Sequence, residues 1–544
     1  MPTPSLRCAR QASLCAVLTF LTLLALSPLV AGEVPRRGAS SGAPAIPEPA
    51  EGRVRGDHDH ARKPVEMASE AKPTDFDRED FGPDPSYVDK PYDPIAQLAI
   101  YGGKRKIDAP RPPIEWGYPL YQSGSIGAGI NLFGAKNPAR PQLLMFGDLR
   151  FGTAYNDNGA VDTAQMAVRL NLNVDFRLTA TERFHVFLRP LDRVEKGRVT
   201  RVEFGGNQRD LFGDHEILLD AEPEAAFFEG DLGQIIAGLT DRYNRYDIPI
   251  ALGLTPLFFQ NGIWMEDAIM GGAITIPALN SPRFDISNMD ITFFSGFDRV
   301  TTKALLEPNG IFDDQNARLY GTAIFIEVLE AYIEAGYGYT DDTRSARQGD
   351  FSYHNLTASV TKRWFGKVSN SLRVILNFDQ DPGPGFTKTA DGWLVLIENS
   401  WITSLPSTLV PYANFFVGSN KPQSLARDFG AGGVLKNTGI NFETDGLTGF
   451  PKLDDTANDT AGGAIGIQYL FQLNQQIVFE LAGLTPMGSD NLPGRVAKGD
   501  QIAVGARFQK PLSKSWIFRT DAIYGSREGD EDLAGVRAEL RLKF

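Results

Sequence analysis

The chain has 544 residues, a formal net charge of −13 and a sequence pI of about 5.1, an acidic balance that excludes a general nucleic-acid binder, which needs basic surface to meet phosphate. Mean hydropathy is −0.21, and after the N-terminus no apolar run reaches the roughly 18 residues that a spanning helix requires. A helical membrane protein is therefore excluded, and if the chain crosses a membrane it does so as strands, which must close into a barrel to pair their backbone groups in lipid.

Residues 1–32 have the form of a secretory signal peptide: Arg7 and Arg10, an apolar run from Ala16 to Leu26, and a small-residue exit with cleavage after Ala31 or Gly32. Cys8 and Cys15, the two cysteines of the sequence, both fall in this segment. The mature chain is thus expected to have no disulfide, no Cys-ligated zinc and no covalently attached haem, and nothing calls for a cofactor. Residues 33–94 are dominated by Pro, Gly, Ala, Ser and charged side chains and read as a disordered periplasmic extension or linker. Within it, Asp57-His58-Asp59-His60 reads as a solvated polar run rather than a metal site, because a loose tract does not fix ligand geometry.

Residues 95–544 are expected to form the barrel. From residue 164 to 178 the apolar Met166, Val168, Leu170, Leu172, Val174, Phe176 and Leu178 alternate with Gln165, Arg169, Asn171, Asn173, Asp175 and Arg177. A two-residue period separates two faces, and fifteen residues is long for a soluble strand but suits a tilted membrane strand, which takes about 9 to 11 and often more. Similar units are predicted at 124–133, 143–155, 183–188, 225–240 as a hairpin, 284–296, 317–340, 351–364, 371–379, 392–400 and 408–418, then 463–471, 476–485, 501–510 and 515–525. The closing unit, Leu533 to Phe544, sets Val536, Ala538, Leu540 and Leu542 against Arg537, Glu539, Arg541 and Lys543. The expected fold is all-β, a transmembrane antiparallel β-barrel of about 18 strands, 16 to 20 being compatible, with short periplasmic turns, long extracellular loops and an aqueous lumen.

If the apolar faces meet lipid, their polar neighbours line water. This makes Arg169, Arg177, Arg373, Arg507, Arg519 and Arg537 candidate lumenal contacts for carboxylates or phosphates, with bracing of the wall against nearby acids as the competing role. The stretch 238–281 interleaves charged and aromatic residues, among them Asp241, Arg242, Arg245 and Trp264, and is interrupted by Pro249, Pro256 and Pro277. It is expected to be a loop folded into the lumen as a constriction, with an extracellular loop stabilised by its own aromatics as the competing reading. The polar stretch 419–462 is a second long loop, with room for a hairpin at 432–442. No catalytic residue is assigned: no Gly-x-Ser-x-Gly motif accompanies the histidines, although a surface hydrolase using His354 is a third reading.

A strand ending on a C-terminal Phe, after many alternating strands, resembles the Gram-negative outer-membrane porins, in which that Phe is read by the barrel-assembly machinery. The run Phe146-Gly-Asp-Leu-Arg-Phe151 with Arg169-Leu-Asn-Leu-Asn-Val-Asp-Phe-Arg177 is faintly similar to strands of the alginate-export barrels, which implies an electropositive channel of 18 strands. The expected function is an outer-membrane channel in contact with lipid, passing small hydrophilic, anionic or saccharide solutes, with no nucleic acid. A homo-oligomer or a periplasmic partner is left open. The alternative is a sheath or scaffold around an export or electron-transfer complex.

Overall fold

The computed structural model describes residues 110–118, 129–159, 161–193, 198–206, 215–305, 317–344, 349–403, 409–472, 475–487 and 499–544. The predicted signal peptide, the 33–94 extension and most of the strand expected at 124–133 lie outside these residues, and of 129–133 only Ile130 makes a bridge, to Ala139.

Eighteen antiparallel strands form a closed wall. The first half runs β1 (Gln142–Asp157), β2 (Asp162–Arg177), β3 (Arg183–Leu188), β4 (Pro223–Asp231), β5 (Pro249–Phe259), β6 (Met265–Ser281), β7 (Ile286–Asp298), β8 (Ala317–Val328) and β9 (Ala331–Asp342). The second runs β10 (Tyr353–Trp364), β11 (Val368–Phe378), β12 (Asp391–Trp401), β13 (Leu409–Lys421), β14 (Thr460–Gln472), β15 (Gln475–Pro486), β16 (Gln501–Pro511), β17 (Trp516–Arg527) and β18 (Leu533–Lys543). β18 returns to β1 in register from Asp148↔Lys543 to Asp157↔Ala534, so no edge is left unpaired at the seam. Phe544 extends the seam by exchanging backbone hydrogen bonds with Gly147.

The predicted alternation holds in direction. On β18, Val536 is exposed outward while Arg537 and Glu539 are buried inside. Connections at the Phe544 end are short, as at 178–182, 282–285, 365–367 and 512–515, and those at the opposite end are longer, as at 379–390, 422–459 and 487–500. Trp364, Trp393, Trp401, Phe415 and Tyr524 lie outward as a membrane-interface belt requires, but Tyr412 bonds inward to Glu480 and Phe416 is buried against Phe442.

Two expectations fail. The hairpin expected at 225–240 is a strand followed by helix α1 (Leu232–Thr240), because Asp231 caps it by accepting from the Gln234 N–H at 2.7 Å, and Leu232, Ile235, Ile236 and Leu239 repeat at helical rather than strand spacing. The loop expected across 238–281 is mostly the strands β5 and β6. Its prolines do not break them: Pro249 opens β5, Pro277 falls in a bulge between Ile276 and Leu279, and Pro256 lies beyond Leu254, the last residue that β4 pairs. These are the places where a missing N–H is tolerated in a sheet.

The β8–β9 turn places Leu329 and Glu330 at positive φ, 51° and 58°. Both are left-handed positions of a two-residue hairpin turn, disfavoured for residues with a Cβ by about 1 kcal/mol each. Leu329→Asn with Glu330→Gly is expected to stabilise the barrel by about 1 to 2 kcal/mol. A thermal or denaturant melt in detergent that shows no gain, or a loss, contradicts this.

The wall is not uniform. β2 pairs with β3 over Leu172–Arg177 and with Arg198–Gly206 over Thr163–Val168, and the chain between the two partners turns inward to bring Asp192 onto Arg169. β4 follows β5 only to Leu254, and β7 follows β6 only to Met270. Freed of both neighbours, the hairpin end from Thr255 to Ile269 leans into the barrel, where Trp264 reaches Asn355 on β10.

Candidate functional site

Two inward-folded segments meet in the lumen. The β5–β6 hairpin is anchored by Trp264, fully buried among Phe259, Phe294, Leu319 and Leu425, with its indole N–H donating to Asn355 Oδ1 at 2.8 Å. The long 422–459 loop packs Val434, Leu435, Phe442 and Leu453 onto Ile375, Leu394, Leu396 and Phe416 of the inner wall. Part of the lumenal face of β11–β13 is therefore apolar, because a loop rather than water covers it. The hairpin expected at 432–442 does not form; the segment is a series of turns.

The two segments are joined to each other. Ala426 and Arg427 pair in parallel with Met265 and Glu266, and Arg427 donates to the carbonyls of Gly262 and Gly432 at 2.6 Å each. Burial brings its guanidinium down to about 10, against the pull of Asp455 and Asp428. Lys436 adds an ion pair to Glu266.

The six candidate arginines of the wall strands face inward, and each has an acidic partner. Arg537 bridges Asp445 at 2.6 Å and Asp521 at 2.7 Å, tying the loop to the wall. Arg507 does the same between Glu443 and Asp521, at 2.6 Å each, and Arg519 reaches Asp521 at 2.9 Å and Glu443 at 3.3 Å. Burial opposes ionisation of Asp445, yet Arg537 and the hydrogen bonds from Thr448 outweigh it and hold the carboxyl at about 2. Glu443 is likewise held low by Arg507 and Arg519 against the effect of burial. Arg373 is buried on Glu398 at 2.7 Å. Arg169 pairs with Asp192 at 2.6 Å and donates to the Gly446 carbonyl at 2.9 Å, while Arg177 lies nearer the short-turn end, 3.5 Å from Asp175.

Asp241, Arg242 and Arg245 are not in the constriction. They follow α1 at the short-turn end and are exposed, whereas Trp264 of the same stretch lies at the heart of the inward fold. Beyond the named candidates, Arg150, Arg189, Glu443 and Asp445 also line the lumen, as does Glu266 from the stretch expected to form the constriction. Arg150 carries a legible signal, since it alternates with Asp148 on β1 and stands opposite Arg169. The loop acids carry none.

The loop separates two open cavities. One, of about 630 Å³, is lined by Tyr412, Asn414, Asn437, Gln468 and Gln476 with Glu266, Glu398, Lys436 and Arg507. The other, of about 300 Å³, is lined by Arg150, Arg169, Arg189, Arg519, Arg537 and Arg541 facing Glu266, Asp428, Glu443 and Asp445. His354 belongs to neither. It lies outward on β10, stacked with Tyr337 and Phe378, and its Nδ1 is 2.7 Å from the Tyr337 hydroxyl.

A closed antiparallel wall of eighteen strands, apolar outside and ion-paired around an indented lumen, is the architecture of a transmembrane β-barrel. No family model and no curated protein matches the chain. Among solved structures it is similar to OccK5 (OpdH) of Pseudomonas aeruginosa, at 10% identity and a TM-score of 0.45, over 74% of this chain and 98% of that one. It is similar over 74% of its length also to OccAB4 of Acinetobacter baumannii, at 10% identity, a TM-score of 0.45 and 97% of that chain. A third similar structure is P. aeruginosa OccK2 (OpdF) in complex with glucuronate, at 8% identity and a TM-score of 0.44, over 74% of this chain and 98% of that one. No functional residue is carried across from them.

Proposed function

We propose that the chain is a channel that lets small hydrophilic solutes cross the outer membrane down their gradient, with a preference for anions, sugar acids included. The observation that carries this reading is the asymmetry of exposure within the ion pairs on the β1, β2 and β18 wall of the smaller cavity, on whose far side Glu443 is more exposed than Arg519. Arg150 and Arg541 keep 17% and 31% of their side-chain surface exposed while their shared partner Glu539 keeps 2%, and Arg169 keeps 13% against 4% for Asp192. Water and solutes in that cavity therefore meet guanidinium groups along the β1, β2 and β18 wall, where the neutralising carboxylates lie behind them, and the carboxylates of Glu443 and Glu266 on the opposite side. A planar, permanently charged fork suits a passing carboxylate. The amides and Tyr412 of the larger cavity supply donors and acceptors for hydroxyl groups.

The sheath alternative is less well supported, because the hairpin and the 422–459 loop occupy space that an enclosed partner would need.

Reversal potential in a salt gradient across a planar bilayer tests the selectivity. The parent chain is expected to favour chloride over potassium, and Arg541→Gln to reduce that preference about two- to threefold, the order of weakening one partly exposed charge interaction by under 1 kcal/mol. Arg541 is the suitable position because Arg150 continues to neutralise Glu539 at 2.7 Å. Glucuronate is expected to interrupt the current more than glucose. Cation preference in the parent, or no conductance from folded protein, overturns the proposal.

A further inference from the structure

Helix α1 is built inside out for a protein element in water. The residues it buries are small, Gly233, Ala237 and Gly238; Gly233 lies against the Tyr246 carbonyl, and Gly238 lets the 133–137 loop approach so closely that Gly134 and Gly238 meet through their backbones. Of its four large apolar side chains, Leu232 and Ile235 are half-buried and two are open to the outside: Ile236 is 49% exposed and Leu239 is 74% exposed. Beyond its C-terminus Tyr243 and Tyr246 are exposed as well, and Leu132 of the packed loop joins them. An aqueous helix shows the opposite arrangement, so this outer face fits a non-aqueous medium.

The surroundings point to that medium. Helix α1 leaves the wall from the last residue of β4, and the strands beside it carry Phe184 and Leu252 on their exposed outer faces, so the patch continues the lipid-facing belt at the short-turn end. Exposed Arg242 and Arg245 and half-buried Lys136 border it, with Asp241 and Asp247 at the two ends of the segment. Lys136 sits 4.2 Å above the Tyr243 ring and Arg245 lies 4.8 Å from that of Tyr246, with Arg242 beside them. Large apolar side chains, tyrosines at their margin and a fringe of arginine and lysine are the make-up of an element lying in the headgroup layer of a bilayer.

We propose that α1 and the Asp241–Asp247 segment after it form an interfacial anchor, with Ile236 and Leu239 in the acyl-chain boundary of the periplasmic leaflet. Arg242, Arg245 and Lys136 meet the phosphates of anionic phospholipid there. The segment thus fixes the depth and tilt of the barrel between β4 and β5, next to the two shortest wall strands, β3 and β4, and to the hairpin that turns inward. This goes beyond the channel reading and does not depend on it.

The test uses the full chain with Cys8 and Cys15 replaced by Ser and a single Leu239→Cys, labelled with an environment-sensitive fluorophore. The protein is reconstituted in vesicles of phosphatidylethanolamine with phosphatidylglycerol. Lipids brominated on the acyl chain are expected to remove most of the emission, and aqueous iodide little of it. Omitting phosphatidylglycerol, or adding Arg242→Gln with Arg245→Gln, is expected to shift the label towards iodide. A label quenched mainly by iodide overturns the proposal, and so does one shielded from both quenchers, which places protein over the patch. A label on Ile502→Cys, at an outward position on β16, reports whether the barrel itself has inserted.

Discussion

An Arg537→Met variant is expected to keep the eighteen-strand wall, lose about 3 to 5 kcal/mol of stability and pass larger, noisier currents than the parent. The loss is unevenly shared between the two acids that Arg537 bridges. Asp521 retains Arg507 at 2.6 Å and Arg519 at 2.9 Å. Asp445 has no second ion pair among the described residues and keeps hydrogen bonds from Thr448 and the Leu447 N–H. A carboxylate buried in the loop is then left uncompensated, so relaxation takes the form of the loop leaving the wall. Asp445→Asn in the same chain is expected to restore part of the stability, because the stranded charge is gone, and the double variant falls short of the sum of the singles.

The pH dependence follows from the same pair. Asp445 is held at about 2 from an ordinary 3.8. A folded-state value below the unfolded one gives stability that is fully present above about 4 and lost as the pH falls towards 2, about 2 kcal/mol for a shift of this size in a buried group. The parent is expected to resist proteolysis within residues 428–446 at neutral pH and to lose that resistance only near the lower end of this range, whereas Arg537→Met is cut at neutral pH. A variant with unchanged current and unchanged protease pattern shows that the loop is held elsewhere.

Legibility in the sequence tracks how local each cause is. Lipid outside and water inside impose a two-residue period on every wall strand, so β2 and β18 can be read residue by residue and the inward arginines follow from them. The inward folds cannot be read this way, because their reasons lie far along the chain. Trp264 is held by Asn355, and Asp445 by Arg537, in each case about ninety residues away. Asp241, Arg242 and Arg245, which follow α1 at exposed positions, escape such a reading for a different reason: charged groups beside rings suit a constriction and an open surface alike, and composition does not distinguish them. The prolines of 249–277 misled because a proline ends a central strand but is harmless at a strand start, a bulge or a free edge, and which of these applies is decided by pairing.

Trp264→Ala is expected to lower stability by about 3 to 5 kcal/mol and to widen the channel, the first from the cavity left in a filled cluster and the second from release of the hairpin. The indole fits because Gly336 on β9 has no side chain: a Cβ there would stand 2.4 Å from the ring. Gly336→Val is therefore expected to expel an intact Trp264 and raise conductance without removing any group from the hairpin. The two changes have opposite volume at one contact, so Trp264→Ala with Gly336→Val is expected to be more stable than Gly336→Val alone, the valine occupying part of the vacated space. Asn355→Leu should have a smaller effect, about 1 to 3 kcal/mol, the cost of leaving the buried indole N–H unpaired. Current that follows this order places the hairpin in the solute path. Current that is indifferent to it, while stability follows it, makes the hairpin a packing element and leaves the 422–459 loop alone to set the width of the channel.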